Sequence, residues 1–160
     1  MKKLFLLLFP ILIFSCESPS GKADSGSEET AVAPYDSLLA RQLGADDYGM
    51  KTYVMAFLQS GPERSQDSLE AATIGRAHLD YMKELAVAKK LVLAGPFLDD
   101  GINRGIFLFD VPTLEEAEAL TAKDPAVKSG RLVMELHLWY GSAAINLLND
   151  WSEKIAKEEI

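Results

Sequence analysis

The chain has 160 residues, with 16 Lys+Arg against 24 Asp+Glu and a formal net charge of −8. This length holds one ordinary domain with appendages, and the charge repels phosphate backbones, so no nucleic-acid partner is expected. One cysteine, Cys16, excludes an intramolecular disulfide and any multi-cysteine metal site.

Residues 1–15 have the build of a signal peptide: Lys2 and Lys3, then an apolar run over 4–14 interrupted by Pro10. The run is too short to span a bilayer as a mature helix. Ile13-Phe14-Ser15-Cys16 resembles a bacterial lipobox, which implies cleavage before Cys16 and acylation of its thiol. The alternative is a secretory peptide with an incidental cysteine. Cleavage leaves 14 Lys+Arg against 24 Asp+Glu, a mature charge of −10. Acyl chains on Cys16 would anchor the protein to the bilayer, each buried CH₂ contributing about 0.8 kcal/mol. The expected location is the cell envelope, with the domain facing the periplasm or the exterior.

Residues 16–33 are rich in Ser, Gly, Glu and Ala and read as a flexible tether. Residues 34–49 predict a short helix and a connector. Tyr35, Leu38, Leu39 and Leu43 have helical spacing, Asp36 and Ser37 suit a first turn, and Gly44 suits a C-cap. This helix is expected to pack on the domain as a lid or brace.

Residues 51–59 predict the first strand. Both of its faces are apolar, Tyr53, Met55 and Phe57 on one and Val54, Ala56 and Leu58 on the other. Asp67-Ser68-Leu69-Glu70 reads as a capping box opening a helix to about Lys89 or Lys90. Ile74, His78, Tyr81 and Leu85 form its apolar stripe, and Gly75 weakens it by roughly 1 kcal/mol unless something packs close there. Residues 91–94 predict a second strand ending in Gly95-Pro96-Phe97. Asp100-Gly101 marks a hairpin turn into a third strand over 105–110.

Thr113-Leu114-Glu115-Glu116 is a second capping box, for a helix to about Lys123 that Asp124-Pro125 stops. A short turn then closes at Gly130. Residues 132–139 predict the fourth strand, with Leu132, Met134, Leu136 and Leu138 on one face and Val133, Glu135, His137 and Trp139 on the other. A last helix is expected over 142–160, with Ile145, Leu148, Trp151 and Ile155 at helical spacing.

The domain over 50–141 therefore predicts β-α-β-β-α-β. This is the ferredoxin-like α+β pattern, an antiparallel four-stranded sheet with helices on one face. The second face would then leave a large apolar patch in water, which monomers rarely do. Two covers are open: a homodimer packed sheet face to sheet face, or the N- and C-terminal helices folded over the sheet.

Arg76-Ala77-His78 in its helix, the strand end Leu93-Ala94-Gly95-Pro96-Phe97, the corner Lys123-Asp124-Pro125-Ala126-Val127 and the Gly130 turn together resemble the YCII-related domain family. The resemblance covers roughly residues 50–140. It implies a dimeric ferredoxin-like fold and a cleft containing a His and an Asp, which map to His78 and Asp124. The family's chemistry is largely undefined.

His78 suits a general base or acid, since imidazole titrates near neutrality; a hydrogen-bonded core histidine is the competing reading. Asp124 would orient His78, and would equally serve as an N-cap before Pro125 at N1. Gly95 and Pro96 are candidates for the cleft floor. Arg64 and Arg76 are candidates for holding an anionic substrate. His137 is placed near the cleft or the dimer seam. No metal site and no cofactor are expected: HExxH, a phosphate loop, a dinucleotide fingerprint and a nucleophile elbow are all missing from the sequence. Three functions stay open. One is a cofactor-independent enzyme moving a proton on a small molecule. The others are a non-catalytic envelope lipoprotein binding a ligand or protein partner, and a structural dimer.

Overall fold

A computed structural model of the protein describes residues 34–158. The predicted signal peptide, Cys16 and the tether lie outside the described residues. Helix α1 spans Ser37–Leu43; the Asp36 side chain accepts from the amides of Leu38 and Leu39, and Gly44 closes it at φ 69°. That left-handed geometry is one glycine adopts without strain.

Strand β1 (Met50–Ser60) leads into α2 (Ser68–Val87), whose first turn is capped by Asp67 accepting from the Glu70 amide at 2.8 Å. The hairpin β2 (Leu91–Pro96) and β3 (Asn103–Phe109) follows, then α3 (Leu114–Thr121), capped by Thr113. A one-turn helix α4 (Pro125–Lys128), capped by Asp124, precedes β4 (Leu132–Ser142). The strands form one antiparallel sheet in the order β2-β3-β1-β4. This is the ferredoxin-like arrangement.

The end of the chain differs from expectation. β4 runs through Ser142, since Lys51 pairs with Gly141 and Met50 with Ser142. A 3₁₀ segment, Ala143–Leu147, and then α5 (Leu148–Ile155) follow, so the helix starts later than Gly141 suggests.

The main core lies on the helix-covered face of the sheet. Val54, Ala56, Leu58, Phe107 and Phe109 from the strands meet Leu85 and Ala117 from α2 and α3, with Leu132, Met134 and Leu136 of β4 at the edge. Such contiguous apolar burial is the main driving force of the fold. A smaller cluster, Tyr53, Val92 and Leu108, sits on the opposite face with Trp139 and Ile145 against it.

The C-terminal segment is fastened to that second face by polar groups. The Tyr53 hydroxyl lies 3.0 Å from the Ser142 carbonyl and 3.1 Å from Asn146 Oδ1. Asn146 Nδ2 donates to Asp110 at 2.7 Å, Lys51 pairs with the same carboxylate at 2.7 Å, and Asn149 Nδ2 donates to the Leu91 carbonyl at 2.9 Å. The cover is partial, because Val133 and His137 remain exposed beyond it. Helix α1 touches the 3₁₀ segment and buries none of its own residues, so it braces the chain end rather than closing a cleft.

One junction sets the position of the loop after β1. The Gly61 amide donates to the Arg131 carbonyl at 2.8 Å, and the Glu63 amide to the Gly130 carbonyl at 3.1 Å. A Cβ on Gly61 would collide with the Gly130 carbonyl oxygen, so glycine is required by the close approach of two main chains. Gly130 itself turns at φ 70°.

Candidate functional site

His78 sits in the middle of α2, on the face it shares with Ala71, Ile74 and Gly75, which precede it by seven, four and three residues. This face meets α4. The Asp124 carboxylate is almost completely buried, and its Oδ2 and Oδ1 lie 2.8 and 2.9 Å from His78 Nδ1. Oδ1 also accepts from the Ala126 amide at 2.8 Å. The two readings of Asp124, cap and histidine partner, therefore describe the same carboxylate. An N-cap before Pro125 needs the side-chain oxygen turned back to the helix start, and that geometry leaves the second oxygen aimed at α2.

A carboxylate in this position assigns the proton to Nδ1 and leaves Nε2 as the acceptor when the ring is neutral. Among the described residues Nε2 has no hydrogen-bond partner, and it is not a sealed atom. The His78 side chain retains 15% exposure, and it lines a cleft of about 190 Å³. The ring stacks against Phe107, with 17° between planes. Behind the pair, the Tyr81 hydroxyl donates to the Leu120 carbonyl at 2.9 Å. Burial, reinforced by the charges of Asp124 and Glu84, holds the Tyr81 phenol above its ordinary range.

The cleft is lined by Arg64, Ala71, Ile74, Gly75, His78, Arg104, Ala126, Arg131 and Leu132. Arg64 is among the residues that line the cleft with His78. Arg76 is not: two residues before His78, it lies about 200° around the helix and is exposed. Gly95 and Pro96 are not lining residues either. They pair with Ile106 and Gly105 at the outer edge of the sheet, whereas the cleft opens between α2, α4 and the loop after β1. His137 is on the opposite sheet face, where it packs edge-on against Phe57 and lies 3.1 Å from Glu135.

Arg104 and Arg131 were not singled out by the sequence. Strict alternation from Leu108 and Ile106 points Arg104 away from the helices. The β1–β3 register shifts between Leu58 and Gln59, where Leu58 pairs with Gly105 but Gln59 with Asn103. Arg104 is the extra residue of that bulge, which re-aims its side chain into the cleft. Arg131 follows the Gly130 turn and donates to Gln66 Oε1 at 2.8 Å. Nothing in a single sequence marks either.

Among the described residues no group of three or more His, Cys, Asp or Glu side chains is placed to hold a metal ion. A second depression, of about 280 Å³, lies at the β2–β3 loop around Phe97, Ile102 and Asn103, away from the His–Asp pair.

The profile of the YCII-related domain matches residues 54–139, more than half of the chain, from within β1 to within β4. The chain belongs to the YCII-related domain family. Among solved structures, the YCII-related chain is similar to the 5-chloro-2-hydroxyhydroquinone dehydrochlorinase from Burkholderia phenoliruptrix AC1100, in complex with 2,5-dihydroxybenzoquinone. The two share 18% identity over 54% of this chain and 92% of that one, with a TM-score of 0.42. No curated protein matches the chain.

Proposed function

We propose that this YCII-related domain is a cofactor-independent enzyme in which His78 moves a proton on a small molecule bound in the cleft. The observation that carries this is the asymmetry of the imidazole: Nδ1 is held by a buried carboxylate, while Nε2 has no partner among the described residues and the side chain lines the cleft. A substrate C–H or O–H bond breaks, the proton passes to Nε2, and the electron pair stays on the substrate. Asp124 keeps the tautomer that makes Nε2 basic and stabilises the imidazolium that forms. The same imidazolium then returns the proton to the product or to water. The wall of Ala71, Ile74, Ala126 and Leu132 supplies an apolar seat.

The test is deuterium incorporation in D₂O. Small molecules with acidic C–H bonds are incubated with the full chain and with His78→Gln, and exchange is followed by NMR. Exchange faster with the wild-type chain and lost in His78→Gln is expected, since a positioned base contributes about 10²–10⁴ in rate. Exchange that survives the substitution overturns the reading.

We infer an acyl anchor at Cys16 that holds the domain at the bacterial envelope; loss of membrane association in Cys16→Ser tests it. We also infer a homodimer through the sheet face that the C-terminal segment leaves open, around Phe57, Val133 and His137. What supports it is apolar surface in contact with water: Val133 is 46% exposed in the single chain. Sedimentation showing a dimer that Phe57→Glu dissociates is expected, and a monomer at micromolar concentration overturns it.

A further inference from the structure

The charge lining the cleft runs against the charge of the chain. The protein has only five arginines and a net charge of −8, yet three of those arginines, Arg64, Arg104 and Arg131, border the small cleft beside His78. They come from three separate segments: the loop after β1, the bulge in β3 and the turn before β4. No aspartate or glutamate lines the same space. Among the described residues, none of the three forms an ion pair. Arg131 donates to the neutral Gln66 amide oxygen, and Arg104 makes a long contact, 3.4 Å, to the Gly101 carbonyl. In a protein with 24 carboxylates, convergence of three guanidinium groups without one acidic partner leaves a positive pocket with an unfilled valence.

We propose that this cleft is an anion subsite, in which Arg104 and Arg131, with Arg64 at the mouth, hold the carboxylate of a small organic acid beside His78. The inference rests on the reading of His78 as the base and names the substrate class for it. A guanidinium fork matches a carboxylate in two parallel hydrogen bonds. The rest of the wall is Ala71, Ile74, Ala126 and Leu132, which suits an apolar body attached to the charged group. Inorganic phosphate fits less well. Phosphate sites of this kind draw on free main-chain amides, and the amide at the start of α4, that of Ala126, is already taken by Asp124. The arginines also have a role in the proton transfer. Removing a proton from a molecule that already carries a carboxylate creates a second negative charge, and pre-placed guanidinium groups stabilise it as it develops.

The experiment measures calorimetric binding to the full chain of benzoate and malonate, of their neutral amides benzamide and malonamide, and of inorganic phosphate. The acids are expected to bind at least roughly ten-fold tighter than the amides, with affinity that weakens as salt is raised. Arg104→Gln and Arg131→Gln are each expected to weaken acid binding by roughly ten-fold, and Arg64→Gln, on an exposed loop where folding is not at risk, by less. Equal affinity for acid and amide overturns the subsite. So does unchanged acid affinity in all three arginine variants, and so does phosphate binding tighter than either acid. Deuterium exchange is read separately. Arginine-dependent malonate binding without any exchange of its CH₂ protons supports the subsite while removing His78 as the base. Exchange on malonamide accelerated over its uncatalysed rate as much as exchange on malonate overturns the subsite and leaves the base intact.

Discussion

The rings of His78 and Phe107 lie within 17° of parallel, with centroids 5.8 Å apart. The imidazole is therefore held on one face by a core side chain and at Nδ1 by Asp124. A histidine so placed is both a packing residue and a candidate base, and the two roles cannot be separated by stability alone. His78→Ala removes the partner of a carboxylate that is almost fully buried. The expected loss is about 1–3 kcal/mol in urea unfolding. His78→Gln, which keeps bulk and a donor, should lose less.

Asp124 has two tasks that different substitutions separate. Asp124→Asn retains a good N-cap for α4 and should cost less than about 1 kcal/mol there. It removes the charge that fixes the His78 tautomer, so ¹⁵N chemical shifts of the ring should report a changed proton distribution between Nδ1 and Nε2. Asp124→Ala loses both functions and should cost about 2–4 kcal/mol in the same unfolding assay. Equal unfolding for the two variants would remove the cap from the account.

Gly75 stands in the interior of α2, and a Cβ built there meets nothing within 4 Å. Gly75→Ala should stabilise the chain by about 0.5–1 kcal/mol, because glycine costs helix stability without a steric reason to be here. The added methyl enters the cleft wall one turn from His78. Thermal unfolding should therefore rise while ligand affinity falls, and a rise in both would show that ligand does not use the space over Gly75.

The C-terminal segment should be sensitive to strong alkali. Burial and, behind it, the charge of Asp110 push the Tyr53 phenol up to about 12, from an ordinary value of 10.0. The folded state thus favours the protonated phenol. Its contribution is complete below about pH 10 and is lost as pH rises toward about 12. Tyr53→Phe should cost about 1–2 kcal/mol at neutral pH, by leaving the Ser142 carbonyl and Asn146 short of a partner. It should also flatten this part of the decline in a pH series of thermal melts.

Much of the fold was legible because local chemistry repeated the tertiary answer. Asp67 and Thr113 each cap their helix as their capping boxes predict, and Asp100-Gly101 joins two strands that do pair. The strands' second apolar face correctly called for a cover, and Ile145 supplies part of it. The end of β4 was missed because Gly141 suggested a stop. In the fold the Trp139 ring lies over Gly141, filling the space a side chain would take, and the ladder continues. At the site, the helical stripe and the Asp-Pro corner were visible, but not the bulge that re-aims Arg104. A register shift is a property of two strands together, and neither strand states it alone.

The junction of Gly61 with Gly130 and Arg131 gives the rim of the cleft an unusual economy. Its frame is two stretches of main chain in direct contact, tied further by the Gln66 side chain, which accepts from Arg131 and donates to the Ser129 carbonyl. Arg64 projects from this frame with no hydrogen bond of its own among the described residues, so its identity can change without disturbing the scaffold that presents it. Ligand preference and architecture are uncoupled at this edge. A library randomising 64 while keeping both glycines, Gln66 and Arg131 would explore new ligands on a constant frame, whereas a single methyl at 61 would push the two main chains apart.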